Sequence, residues 1–216
     1  MRNFITHNWF TIFTVLSLTL VVAAKYVNAL RFNDFLLVIS NPKYLKIYSR
    51  DQKFIDIFDG LLFINLSISL SIFIYFGYST FVTPLTFELV EFLKLLFAVS
   101  TIVIIKTLLE RLIGSLFEVD NLIDDYLFQK TAFKNYSGML LLITNLFLLY
   151  SNTHTNIIII IAFTLVFLVN LIGFFTSFKK HQKLLIPNFF YFLLYLCALE
   201  IGPYILLYKV ITEYNT

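Results

Sequence analysis

Long apolar runs alternate along this chain with shorter segments in which Lys, Arg, Asp and Glu recur every few residues. The runs have the length of membrane-crossing helices, and they predict six spans, at about residues 9–24, 60–81, 87–113, 136–150, 156–178 and 188–210. The turns Ser79 to Thr86, with Pro84, and Ser151 to Thr155 are short and carry no fixed charge, so spans 2–3 and 4–5 form two antiparallel hairpins. Span 2 carries Asn65, Ser67, Ser69 and Ser71, and Ser67 with Ser71, one helical turn apart, gives a narrow polar stripe for close helix contact. No pair of glycines stands four residues apart, so the strongest helix-dimer pattern is absent. Span 6 begins after Pro187, a residue suited to the first turn of a helix.

Two further segments are too charged to span. In 31–59, apolar residues such as Phe35, Tyr44, Leu45, Tyr48 and Phe58 are mixed with Lys43, Lys46, Arg50, Lys53 and Asp56. This predicts an interfacial helix after Pro42, its apolar face at the headgroup boundary or against a partner. In 115–134, Leu116, Val119, Leu122, Ile123, Tyr126 and Leu127 keep three-four spacing while Glu118, Asp120, Asp124 and Asp125 take the other side, which predicts a second amphipathic helix. The expected fold is therefore all-α, a single membrane domain over 1–216 with six transmembrane helices and two amphipathic helices on one face.

Charge then orients it. All Lys and Arg residues except Arg2, Lys94 and Lys209 fall in 25–53, 106–134 and 179–183. The excess of basic residues on the cytoplasmic side of membrane proteins puts those three segments inside and both chain termini outside. Cleavage of span 1 as a signal peptide near Val22-Ala23-Ala24 would leave the basic segment 25–53 outside, so a retained helix is expected. With 59% apolar and 13% charged residues, the chain has too little polar surface for a water-soluble globule. The abundance of Phe and Tyr, with Ile, Asn and Lys, matches the usage of an AT-rich genome. A net charge of +3, placed where topology requires it, gives nucleic-acid binding no support, and one cysteine, Cys197, excludes an intramolecular disulfide.

Ionisable groups inside spans need a reason, since each costs about 2.5–3.5 kcal/mol on insertion scales. Lys94 and Glu200 both lie roughly 12–13 Å from the outer ends of their spans at 1.5 Å per residue, so an ion pair between spans 3 and 6 would neutralise both. The competing arrangement pairs Lys94 with Glu91 on its own helix, near Glu88. Pro203 predicts a kink in span 6 one turn after Glu200. On the inner face, Glu118, Asp120, Asp124 and Asp125 and the compact basic loop of Lys179, Lys180 and Lys183 are candidate docking groups. The acidic set lacks the glycine-containing loop of an EF-hand, and His7, His154 and His181 are too scattered for a metal site, so neither metal nor cofactor is expected. No phosphate-binding glycine loop, nucleophile elbow or zinc-protease motif is present.

The stretch Leu196-Cys197-Ala198-Leu199-Glu200-Ile201-Gly202-Pro203, followed by Leu206-Leu207-Tyr208-Lys209, resembles the closing signature of a family of uncharacterised multi-pass inner-membrane proteins of the Bacteroidota. The resemblance implies a bacterial inner-membrane location and brings no catalytic role. The expected function is a non-enzymatic membrane subunit or assembly factor of an envelope complex engaged in secretion, translocation or biogenesis, with the bilayer and a protein as partners. The alternative is a small ion- or proton-coupled transporter built on Glu200, Lys94 and the Pro203 kink. An enzyme acting on lipid-linked substrates would suit the location, but the chain shows no acid, base or metal constellation for it.

Overall fold

The computed structural model describes residues 4–41, 43–49, 56–82, 87–116, 120–151 and 155–185, and among these every regular element is a helix. Helix α1 (Phe4–Val27) is followed by two short helices, α2 (Ala29–Leu36) and α3 (Lys43–Ile47), and then by α4 (Ile57–Phe81), α5 (Leu89–Leu116), α6 (Asp120–Tyr150) and α7 (Thr155–Leu185). Five of them contain stretches long and apolar enough to cross a membrane: Trp9–Val27, Ile57–Phe81, Leu89–Leu112, Ile123–Tyr150 and Thr155–Ser177. The chain is thus a multi-span helical membrane protein. The expected sixth span, 188–210, lies outside the described residues.

Helix ends follow local chemistry. The Asn28 side chain breaks α1 from α2 by accepting from the Arg31 backbone N–H at 3.0 Å, and Asp56 caps α4 by accepting from Phe58 N–H at 3.2 Å. Asp59 in the first turn of α4 also favours that helix end electrostatically. Within the spans, hydroxyls return to their own helix: Thr14 donates to the Phe10 carbonyl, Ser67 to Phe63, and Ser71 to Ser67.

Helices α4 and α6 form the centre and run parallel. Gly138 of α6 sits against Leu66 of α4, and seven residues further on the Asn145 amide donates to the Ser69 carbonyl at 2.8 Å. Helices α1, α5 and α7 pack around this pair, each antiparallel to it. Ser17 of α1 meets Asn65 and Ser69 while Phe10 meets Tyr75 and Phe76. On the other flank, Asn170 of α7 donates to Ser137 of α6 at 3.0 Å, and Gly173 lies against the Phe133 ring.

The antiparallel order brings Lys25, Arg31, Lys43, Lys46, Lys106, Arg111, Lys130 and Lys134 toward one end of the bundle, the basic end. The aromatic-rich cluster of Phe32, Phe35, Tyr44, Phe58, Phe128 and Phe133 closes that end. Phe10, Ile68, Ile72, Phe92 and Leu149 pack near the other.

Three boundaries differ from the sequence-based expectation. Residues 120–134 do not form a separate amphipathic helix but are the first turns of α6, because no Pro separates them from the apolar run that follows and the single Gly138 is tolerated inside a helix. At 31 residues α6 extends about 46 Å, more than a bilayer core of about 30 Å, so its polar start projects beyond the slab. Likewise 179–183 is not a loop, since α7 remains helical to Leu185. Finally, the described residues of 31–59 hold α2, α3 and the start of α4 in place of one interfacial helix, and of the two short helices α3 is the one after Pro42.

Candidate functional site

The polar groups of the bundle gather at the basic end, where α2 and α3 fold back as a cap over α4 and α6. Arg31 of α2 lies at the centre of this cap. Its Nη1 donates to Asp56, its Nη2 donates to Asp59 Oδ2 at 2.6 Å, and the guanidinium stacks 4.6 Å from the Phe58 ring centroid, with Tyr48 at 5.3 Å and Tyr44 at 5.9 Å. Only guanidinium offers a fork for two carboxylates together with a flat face for aromatic rings, so lysine would not replace it. Burial pulls the Arg31 pKa down, but the Asp59 and Asp56 carboxylates outweigh it and hold the group above its ordinary value, fully charged. Burial, reinforced by the two carboxylates, pushes the Tyr44 phenol well above its ordinary value, so it stays protonated. Outside this core, Lys43 Nζ meets Asp34 at 3.2 Å, and the Tyr48 hydroxyl donates to the same carboxylate at 3.4 Å.

A second charged contact ties α5 to α6. Lys130 Nζ donates to Glu110 Oε1 at 2.7 Å, with the Glu110 side chain 1% and Lys130 15% exposed, and the ammonium stands 5.4 Å from the Tyr126 ring centroid. Beside Glu110 on α5, Arg111 Nε approaches Asp124 Oδ1, six residues before Lys130 on α6, at 3.5 Å. Gln129, next to Lys130, is fully buried with neither side-chain amide atom hydrogen bonded.

Between these contacts α4, α5 and α6 enclose a crevice of about 580 Å³. Its walls are apolar, including Phe63, Leu66, Val103, Leu108 and Phe128, and its polar groups are Asp56, Asp59, Thr107, Arg111, Asp124, Thr131, Lys134 and the fully buried Asn135. Asn135 has no hydrogen-bond partner at either amide atom.

A family model described as a domain of unknown function, DUF4271, matches residues 10–211. The chain belongs to the DUF4271 family. No curated protein and no solved structure matches it.

In this DUF4271 chain, the residues singled out from sequence fall in different places. Lys94 donates to Glu91 Oε1 at 2.7 Å on an exposed face of α5, the local arrangement, while Glu88 lies one residue before that helix. Glu200 and Pro203 lie outside the described residues, as does Glu118. Asp124 is engaged with Arg111, and Asp120 begins α6. Lys179, Lys180 and Lys183 belong to the last turns of α7. Sequence reading did not find the Arg31 node or the Glu110–Lys130 pair. Each partner had the right signal, a charge beside a span boundary, but the pairings join residues 25, 28 and 20 positions apart.

Proposed function

We propose that this protein is a non-enzymatic integral subunit or accessory factor of an envelope complex, seated in the inner membrane of a bacterium of the Bacteroidota, with its basic end in the cytoplasm. The observation that carries this reading is the cap. A guanidinium shielded by three aromatic rings and clamped by two carboxylates holds α2 and α3 in one fixed position on α4. Such a node contributes little net stability compared with an apolar replacement, so its use is in fixing geometry. The plate it fixes presents apolar and basic groups outward: Leu30, Leu36, Leu37 and Ile47 are exposed, and Lys46 lies among them. A rigid, amphipathic plate at the membrane surface suits a protein partner.

Polar groups inside the bundle support the same reading, since they serve to hold helices together. Ser17 donates to Asn65 at 2.5 Å and lies 3.2 Å from Ser69, and Asn145 and Asn170 each bond across a helix interface.

The test is purification of the tagged full chain from native membranes in mild detergent. The expected result is a complex of fixed stoichiometry, lost in a Leu37→Glu variant whose own thermal unfolding is unchanged. Recovery of the chain alone, under conditions that keep other membrane complexes intact, would overturn the reading.

A further inference from the structure

The crevice between α4, α5 and α6 has features that helix packing alone does not require. At roughly 300–1,000 Å³ small-ligand sites are concave and mostly apolar with a few convergent polar groups, and this one, at about 580 Å³, fits that description. Along α4 its lining runs from Asp56 to Leu66, about 15 Å of helix rise, from the charged level of the basic end into the apolar slab. Asn135 adds the observation that points to a ligand. It is fully buried in the crevice lining, and its amide nitrogen and oxygen both lack a partner, although an unpaired buried polar group costs about 1–3 kcal/mol.

Charge decides what would fit. On the α4 side, Asp56 and Asp59 share the single guanidinium of Arg31, a formal excess of one negative charge. Across the crevice, Arg111 is set against Asp124, and Lys134 lies on the same wall. Three carboxylates disfavour a purely anionic group, and the two cations of α5 and α6 disfavour a purely cationic one. We propose that the crevice binds one zwitterionic glycerophospholipid carrying a primary ammonium beside its phosphate, drawn from the leaflet at the basic end. Its phosphate faces Arg111 and Lys134, and its ammonium faces Asp56 and Asp59. The Asn135 amide meets the ester region, and an acyl chain lies against Phe63, Leu66 and Val103. This site does not depend on the docking reading above, and either can fail without the other.

Gly60 supplies a clean test. It lines the crevice, and a Cβ built on it meets nothing within 4 Å, so a side chain begins there in open space beside the crevice wall. The full chain, delipidated in mild detergent, is titrated with phosphatidylethanolamine, phosphatidylglycerol or diacylglycerol of the same acyl composition, and bound lipid is counted by native mass spectrometry. One phosphatidylethanolamine per chain is expected, held at least about tenfold more tightly than the other two, the equivalent of one lost charge-assisted hydrogen bond. Gly60→Leu should lose that lipid while its unfolding temperature without lipid stays level or rises. Asn135→Leu should weaken binding about tenfold, whereas Gln129→Leu, which removes an equally unpaired amide that does not line the crevice, should leave it unchanged. Equal binding of phosphatidylglycerol or diacylglycerol, retention by folded Gly60→Leu, or identical behaviour of the Asn135 and Gln129 variants would overturn the proposal. Should Asn135→Leu not fold, the Gly60→Leu result decides.

Discussion

At the scale of single residues, two positions show how this bundle is held. A Cβ on Gly138 would stand 2.8 Å from the Leu66 Cα, a backbone atom that moves only if α4 moves. Gly138→Ala should therefore lower stability by about 1–3 kcal/mol through overpacking, seen as a lower unfolding temperature in detergent. Gly77→Ala, where nothing lies within 4 Å, should be neutral or stabilising by up to about 1 kcal/mol, as expected for replacing a helical glycine. No two glycines stand four residues apart, and the close helix contact is made by a single one. An isolated glycine inside an apolar helix was the available signal, but nothing local says which neighbour approaches it. Arg31 is the other position. Arg31→Met leaves Asp56 and Asp59 without their counter-charge, and because those side chains are 33% and 22% exposed the expected cost is about 3 kcal/mol, the low end for broken buried pairs. Arg31→Lys should recover only part of it, because an ammonium cannot fork or stack. Limited proteolysis within 37–56 checks both, with faster cleavage expected in Arg31→Met than in Arg31→Lys.

At the scale of elements, the apolar periodicity placed the five spans that lie among the described residues, because a run of apolar residues has few alternatives to a membrane helix. It failed where polar and apolar helices join. The acidic start of α6 has the spacing of a surface helix, yet helix propagation through a stretch without Pro costs less than ending one helix and nucleating another. The same continuity carries α7 through its basic residues. Long α5 and α6 are joined by the Glu110–Lys130 pair, and removing one partner strands the other. Lys130→Met should cost about 3–5 kcal/mol, and the double change with Glu110→Leu should recover most of it, as read from thermal unfolding of the two variants. No recovery would mean that the pair does not hold α5 to α6. The sequence pattern assigns Ser67 and Ser71 of span 2 to helix contact. Both are buried, but their hydroxyls bond to their own helix, and the bonds between helices come from Asn65 and Ser69. Side-chain direction around α4 separates these two pairs, and position in the sequence does not.

At the scale of the whole molecule, two parallel central helices flanked by three antiparallel ones bring the basic segments to one end, where the Arg31 cap and the crevice lie side by side and share Asp56 and Asp59. The charge pattern along the chain already implied that grouping. The cap and crevice were not legible, because they arise from contacts between α2, α4, α5 and α6 that no single periodicity encodes. A cytoplasmic partner requires this end to be inside. The direct test is labelling of intact cells with a membrane-impermeant thiol reagent, using Cys197→Ala chains that carry either Lys46→Cys on the cap or Tyr150→Cys at the other end of α6. Both positions are exposed on the protein surface. Labelling is expected at position 150 in intact cells and at position 46 only after the inner membrane is opened. Labelling at position 46 in intact cells would contradict that orientation.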